Sequence, residues 1–408
     1  MSVSEMTVID FERLAARMTG VEDSPTLRIA ARATELRSLG RQIVSLSTGE
    51  PNFTTPENIK QAGIRAINEN FTKYTPAEGI PELRELVAEK FRRDNNINTS
   101  AERVIITSGG KHALSNALFV LCETGDEVII PSPFWASYEA IARLSEATPV
   151  IVKTNEKNDW LLGPEQLEAS ITERSRLLLL NTPVNPTSSV YSKEDLAALV
   201  PVIKEHGLMV MVDELYEKLL YDGRKHYSLG AFDEIAAQVI TVNGLSKAYA
   251  MTGWRLGFAT GPNWVIDAMI RLQSQAVSHP SSISQKAAVE ALGGPQDSVE
   301  MMRQAFERRR DLAVKLLSEI PGISFTKPKG AFYIFFDISN YIGCKTANGS
   351  VISGAFDLCE YLLETQGLAL VSGDAFGDPK HVRLSFAASD DDITAGVKLL
   401  RQGLALLS

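Results

Sequence analysis

Lys247 stands alone among small and apolar residues in the stretch NGLSKAYAMTGW, and an arginine, Arg255, follows eight positions later. A lysine with so few acids around it is either a solvated surface amine or a buried, reactive one. Burial disfavours the charged form, and a neutral amine is both a nucleophile and a base. Other residues suited to chemistry are spread along the chain. Asp213 and Tyr216 lie in VDELY, Asn185 in NTPVNPT and Trp135 in PFWASY; Gly109-Gly110, followed by Lys111, lie in TSGGKHAL. An acid suits a cationic ring nitrogen, and a phenol or an amide can hydrogen-bond an oxygen. An indole stacks on a flat ring, and two glycines between a strand and a helix free backbone N–H groups for an anion. Each has a plain alternative. Asp213 could cap a helix, Trp135 could be core, Asn185-Pro186 could be only a turn, and Gly109-Gly110 only a connection. Arg255 could pair with surface acids. Tyr216 shares a face with Asp213 if a helix starts there.

The surrounding elements give these residues a common address. Short apolar runs (RVIIT, DEVII, TPVIVKT, RLLLLN, GLMVMVD, QVITVN, WRLGFATG) alternate with amphipathic stretches such as KHALSNALFVLCE, ASYEAIARLSEA and SKEDLAALVPVIKEHG. The alternation predicts an α/β fold with a mostly parallel sheet and helices on both faces. Ser192 is the predicted N-cap of the SKED helix. Ligands of such sheets bind beyond the carboxyl ends of the strands, and every residue above except Arg255 follows a strand. The pattern predicts a large domain over residues 56–295, ending near LGGPQDS. Residues 296–408 are expected to form a smaller α/β domain, joined by part of residues 1–55, which begin as an N-terminal arm. FERRRDL, inside the long helical stretch after 296, reads as a solvated helix face rather than a basic patch.

At 408 residues the chain is long for one core. A net charge of −9 argues against nucleic acid or an anionic membrane as partner. Cys122, Cys344 and Cys359 form no CxxC pair and suggest a reducing compartment without a structural metal. The first twenty residues lack the apolar core of a secretion signal, and no apolar run is long enough to span a bilayer. The expected location is cytoplasmic. Neither GxGxxG nor a P-loop occurs, since Lys111 is followed by His112.

Together a lysine, an acid, an anion site, a stacking ring and hydrogen-bond donors meet the needs of pyridoxal 5'-phosphate. SKAYAMTGWRLG also resembles the pyridoxal-lysine signature of the class I aminotransferases. STGEPNF, KYTPAEGIPELR, TSGGKHAL, PFWASY, NTPVNPT, VDELYEKLLY, GAFYIFFD and HVRLSFA follow in family order. The likeness covers nearly the whole chain and is similar to the bacterial aspartate aminotransferase type.

The resemblance implies a transaminase moving an amino group from an L-amino acid to a 2-oxo acid such as 2-oxoglutarate. It implies that Lys247 carries the cofactor covalently, that Asp213 pairs with its ring nitrogen, and that Tyr216 and Asn185 bond its phenolic oxygen. Trp135 would stack on the ring. Gly109, Gly110 and Arg255 would hold the phosphate with Lys111 nearby, helped by Tyr74 and Ser278 of a second subunit in a homodimer. Arg383, with Asn185 and the Gly49 backbone, would bind the substrate α-carboxylate. Ser188 stands where the family usually has glycine. Ser274 falls near the place of an arginine that binds the distal carboxylate in one subgroup, and Lys111 is the replacement suggested by the bacterial subgroup. Aromatic amino acids, kynurenine, prephenate or arginine are alternative substrates. Carbon–sulfur lyases and aminocyclopropane-carboxylate synthases share the motifs. A regulator with an aminotransferase-like domain would need a DNA-binding module before STGEP, and a dehydrogenase would need the absent dinucleotide fingerprint.

Overall fold

A computed structural model describes residues 15–18, 21 and 25–408. The expectation about a leader, and the part of the expected N-terminal segment 1–55 that precedes residue 15, lie outside the described residues. After a short strand β1 (Val44–Ser45), seven strands build the main sheet. They are β2 (Val104–Thr107), β3 (Glu127–Ser132), β4 (Thr148–Lys153), β5 (Ser175–Asn181), β6 (Met209–Asp213), β7 (Val239–Gly244) and β8 (Gly257–Thr260). Their spatial order is β2-β8-β7-β6-β5-β3-β4. Neighbours are parallel except around β8, which runs against both β2 and β7. Reversal makes β8 begin where the others end. Arg255, just ahead of it, therefore reaches the same edge as the residues after β2, β5, β6 and β7.

The central strands are apolar throughout because helices cover both faces. Leu177 and Leu179 join Met209, Met211 and Val242 on one side, against Ala113, Ala117, Ile141 and Val265. Leu178 and Leu180 point the other way, with Val210 and Val212, against Leu167, Leu196, Leu199 and Ile203. This alternation is the period of two along a strand. The helix Lys193–Glu205 starts as its sequence predicts. Ser192 Oγ accepts from Asp195 N at 3.1 Å, and Asp195 Oδ2 accepts from Ser192 N at 2.8 Å, a reciprocal cap.

The remaining strands are β9 (Ser324–Phe325), β10 (Tyr333–Asp337), β11 (Leu368–Ala369), β12 (Val371–Ser372) and β13 (His381–Ser385). An antiparallel sheet of order β12-β13-β10-β9 and a parallel pair β1-β11 share a second core. That core packs Phe332, Phe336, Leu384 and Phe386 against Phe306, Leu358, Leu362, Ile393 and Leu400 of the helices Asp297–Leu317, Ala355–Gln366 and Asp390–Ala405. Residues before position 50 thus pair with residues near 368. No described helix is long and apolar enough to cross a membrane.

FERRRDL is not a solvated face. Arg310 is 1% exposed. Its Nη1 and Nη2 donate to both oxygens of Asp222 at 2.8 and 2.9 Å, and its Nε donates to Asp311. Arg309 is buried against Asn52 and Asp390. Of the three arginines only Arg308 remains largely in solvent. A helix wheel does not reveal carboxylates supplied by distant segments.

Two backbones touch at the edge where β8 begins. A Cβ on Gly257 would lie 2.4 Å from Gly110 N and 2.5 Å from Gly109 C, both backbone atoms. Gly257→Ala is expected to lower the stability of the folded chain by about 1–3 kcal/mol, the usual cost of overpacking, measured by urea unfolding. An unchanged urea midpoint would show that the two segments do not touch.

Candidate active site

The carboxyl edge of the main sheet gathers the reactive groups. β7 ends at Gly244, and a turn brings Lys247 inward until its Nζ donates to Gly49 O at 2.5 Å. Burial, more than anything else, pushes this amine down to about 8. Arg383 and Arg255 push the same way, whereas Glu50 and Asp213 oppose them. About a tenth of Lys247 is therefore neutral at about pH 7, against well under about a thousandth of an ordinary lysine, and the neutral amine is the nucleophile.

β6 ends on Asp213, whose side chain turns into the same space. Its Oδ2 accepts from Tyr138 Oη at 2.8 Å and its Oδ1 from Leu215 N at 3.1 Å. Burial pushes the carboxyl up to about 6, against both hydrogen bonds and the charge of Lys247. No helix begins at Asp213. The chain makes a turn, and Tyr216 reaches the site through it, its Oη 2.8 Å from Tyr333 Oη. Lys247 Nζ lies 5.8 Å from the Tyr216 ring centre and 6.0 Å from that of Phe332.

Arg383, on β13, is fully buried. Nη1 donates to Asn185 Oδ1 at 3.0 Å and Nη2 to Ser47 O at 2.9 Å, while Nε has no hydrogen-bond partner among the described residues. The guanidinium carbon lies 4.4 Å from the Tyr333 ring centre and 4.8 Å from that of Phe376. Asn185 N donates to Asn181 Oδ1 at 2.8 Å, which ties the loop to the end of β5. Ser188 takes a left-handed φ of 59°, where glycine would be easier. In return its Oγ donates to Tyr333 O at 2.8 Å, so this serine fastens the Asn185 loop to β10.

At the β2 end, Gly109 has φ 92° and the helix Gly110–Leu121 starts immediately after it. A Cβ on Gly109 would lie 2.5 Å from Arg255 Nη2. Bare backbone and a guanidinium thus share one concave place at a helix N-terminus, a donor set suited to a phosphate. Lys111 Nζ lies 4.8 Å from the Trp135 ring centre. Burial and then Arg255 push the Lys111 amine down. Tyr74 stands apart from this group. Its ring is 90% exposed and meets His279 edge-on, 5.5 Å between centres, and no described hydrogen bond or ring contact joins it to the site. Ser278 adjoins that histidine with a left-handed φ of 64°.

The structure adds Tyr138, Tyr333 and Ser47, to which the sequence assigned no role. Tyr138 is one helical turn from Trp135, but its partner is 75 residues away, so no local spacing reveals the pair. Glu214 and Glu217, beside Asp213 and Tyr216, face away into a buried cluster. Asn95 Nδ2 donates to Glu214 Oε2 at 2.8 Å and Glu217 Oε2 at 2.6 Å. Lys90 pairs with Glu217, and His226 Nε2 lies 2.9 Å from Glu214 Oε2. Glu214, Glu217 and His226 have spacing that could suit a metal, but Lys90 already supplies a cation there. A cavity of about 800 Å³ between Ile29, Val351, Phe356 and Tyr361 shares no residue with the site.

The family model for aminotransferase class I and II matches residues 41–399. An aspartate aminotransferase of Geobacillus stearothermophilus is 43% identical over 96% of this chain and 98% of its own. An aspartate/prephenate aminotransferase of Cereibacter sphaeroides is 43% identical over 93% of this chain and 95% of its own. Among solved structures, the aspartate aminotransferase of Rhizobium meliloti superposes with a TM-score of 0.94 at 40% identity, over 97% of this chain and 100% of that one. The Thermus thermophilus aspartate aminotransferase with maleate gives 0.89 at 41% identity, over 96% and 99%.

If burial and Arg383 govern the amine, Lys247 will titrate near 8 when followed by NMR of reductively methylated lysines, well below the ordinary value of about 10.4. Arg383→Leu removes a neighbouring cation and should move the midpoint upward. A wild-type midpoint at the ordinary value would refute the buried setting.

Proposed function

The chain belongs to the class I and II aminotransferases, and from that premise we propose that it moves the amino group of L-aspartate, or a close dicarboxylic relative, to a 2-oxo acid such as 2-oxoglutarate. The proposed cofactor is pyridoxal 5'-phosphate, used in two successive half-reactions. One observation carries this reading: a buried amine pushed down to about 8 and a buried carboxyl pushed up to about 6 face one cleft floored by bare glycine backbone. When bound, the cofactor supplies an aldehyde for Lys247 and a protonated ring that accepts the electrons left as the substrate Cα loses its proton.

The protein's own groups divide the remaining work. Ionised Asp213 keeps a ring nitrogen protonated, since an opposite charge within about 4–6 Å shifts such equilibria by roughly 1–3 pH units. Tyr216 and Asn185 donate to the phenolic oxygen, and Trp135 covers one ring face. Gly109, Gly110 and Arg255 take the phosphate. Tyr74 and Ser278 of a second copy complete that grip, which gives the exposed tyrosine a purpose and makes the working unit a homodimer.

Arg383 binds the substrate α-carboxylate. Its two bonds to Asn185 and Ser47 fix the plane of the guanidinium before substrate arrives. Gly49 and Asn185 line the same place. Lys247, as a neutral amine, would be the base that takes the substrate Cα proton and carries it at Nζ. Lys111 beside Trp135 meets the distal carboxylate. The Thermus relative is described with maleate, a four-carbon dicarboxylate, which supports that role. Residues 56–295 would serve as the cofactor-binding domain, and residues 296–408 with the N-terminal segment as the smaller one. The proposed location is the cytoplasm, in keeping with free Cys122, Cys344 and Cys359.

Lys247→Ala should reduce turnover by at least about a hundredfold and abolish the absorbance band of covalently held cofactor. Near wild-type turnover in that variant would sink the assignment. Screening the twenty amino acids by single half-reactions names the donor, with aspartate or glutamate expected to react fastest. Lys111→Ala should raise KM for aspartate about tenfold while leaving KM for alanine nearly unchanged, the signature of one lost charge-assisted contact.

A further inference from the structure

We propose that Tyr138 is a positioning residue that keeps Asp213 ionised and aligned towards the cofactor's ring nitrogen. The proposal rests on the cofactor reading above and extends it to a side chain outside the motif residues assigned to cofactor or substrate. Tyr138 lies in the helix Ser137–Leu144 after β3 and is 2% exposed. Its Oη donates to Asp213 Oδ2 at 2.8 Å, and Asp213 is its one described hydrogen-bond partner. Its ring packs edge-on to Trp135, 5.5 Å between centres and 85° between planes. The indole therefore holds the phenol in register with the acid.

Both oxygens of Asp213 are thereby assigned. Leu215 N fixes Oδ1 and Tyr138 fixes Oδ2, so the carboxylate plane cannot rotate without breaking a buried hydrogen bond. The charge balance has the same logic. Burial and the nearby Glu214 favour the neutral acid, while Tyr138, Leu215 N and Lys247 favour the carboxylate, with Tyr138 the strongest of the three. Tyr138 must itself stay protonated to donate. Burial and Asp213 hold its phenol well above the ordinary range, and Tyr216 and Tyr333 act in the same direction. Glu214 is kept from dominating because His226 and Asn95 bind its carboxylate from the far side. A buried carboxylate deprived of its best donor gains a proton more readily.

Tyr138→Phe removes only the donor and keeps the ring. Holoenzyme is dialysed between about pH 5 and 9 and retained pyridoxal phosphate is measured, which reads Asp213 independently of turnover. The sign follows from the two states of the acid. Asp213 in the empty site has a raised pKa, and a bound ring cation lowers it. Affinity is therefore full where Asp213 is already ionised and falls as pH drops through about 6.

In Tyr138→Phe this loss should begin at least about one pH unit higher. At neutral pH the dissociation constant should rise and kcat should fall, each about tenfold, with KM for the amino acid nearly unchanged. A merely structural phenylalanine would lower stability without moving the pH midpoint. Replacement of Tyr138 by 3-fluorotyrosine, a stronger donor, covers the case in which the phenylalanine variant does not fold, and should move the loss to lower pH. Unmoved midpoints in the folded variants would overturn the proposal. If wild-type protein holds no pyridoxal phosphate at Lys247, the cofactor reading itself fails; if wild type holds it and the midpoints stay, only the role of Tyr138 falls.

Discussion

The structure depends on one buried guanidinium. Arg383 leaves β13 of the smaller sheet and donates to Asn185, beyond β5 of the larger sheet, and to Ser47, beyond β1. Three distant segments therefore meet on one cation. A buried charge is costly unless its donors are used, so the chain can close only where those acceptors converge. Tyr333 and Phe376 sheathe the guanidinium and exclude water from it. Burial first, and then repulsion from this cation, lowers the neighbouring Lys247 amine. One placement of charge thus contributes to both folding and reactivity.

The turn after β6 shows how the sheet edge serves two environments at once. Asp213 and Tyr216 face the cleft, while Glu214 and Glu217 face the buried cluster around Asn95. Lys90 and His226 give that cluster internal charge balance. The side chains behind the turn consequently resist its displacement, and the cleft-facing pair inherits their rigidity.

Much of this was legible in the sequence. Apolar runs ending in Asn181, Asp213 and Gly244 marked the strands, and the rule that ligands gather at their carboxyl ends pointed to the edge where these side chains converge. Lys247 stood out because its neighbours carry little charge. The missing parts are those fixed by distance along the chain. Tyr138 donates to an acid 75 residues away, and Arg310 is buried because Asp222, 88 residues away, comes to meet it. The helical stretch FERRRDL therefore carries a misleading local signal. Antiparallel β8 is invisible in periodicity too, yet it explains why Arg255, which precedes its strand, joins residues that follow theirs.

The contact of Gly257 with the backbone of Gly109 and Gly110 leaves no room for side chains on the cleft floor. Divergence of selectivity, whether by natural drift or in the laboratory, is accordingly confined to the rim. On the reading proposed above, Lys111 is the position to exchange for differently shaped guests, while Trp135, which packs against Tyr138, and the glycine base remain a fixed scaffold common to all of them.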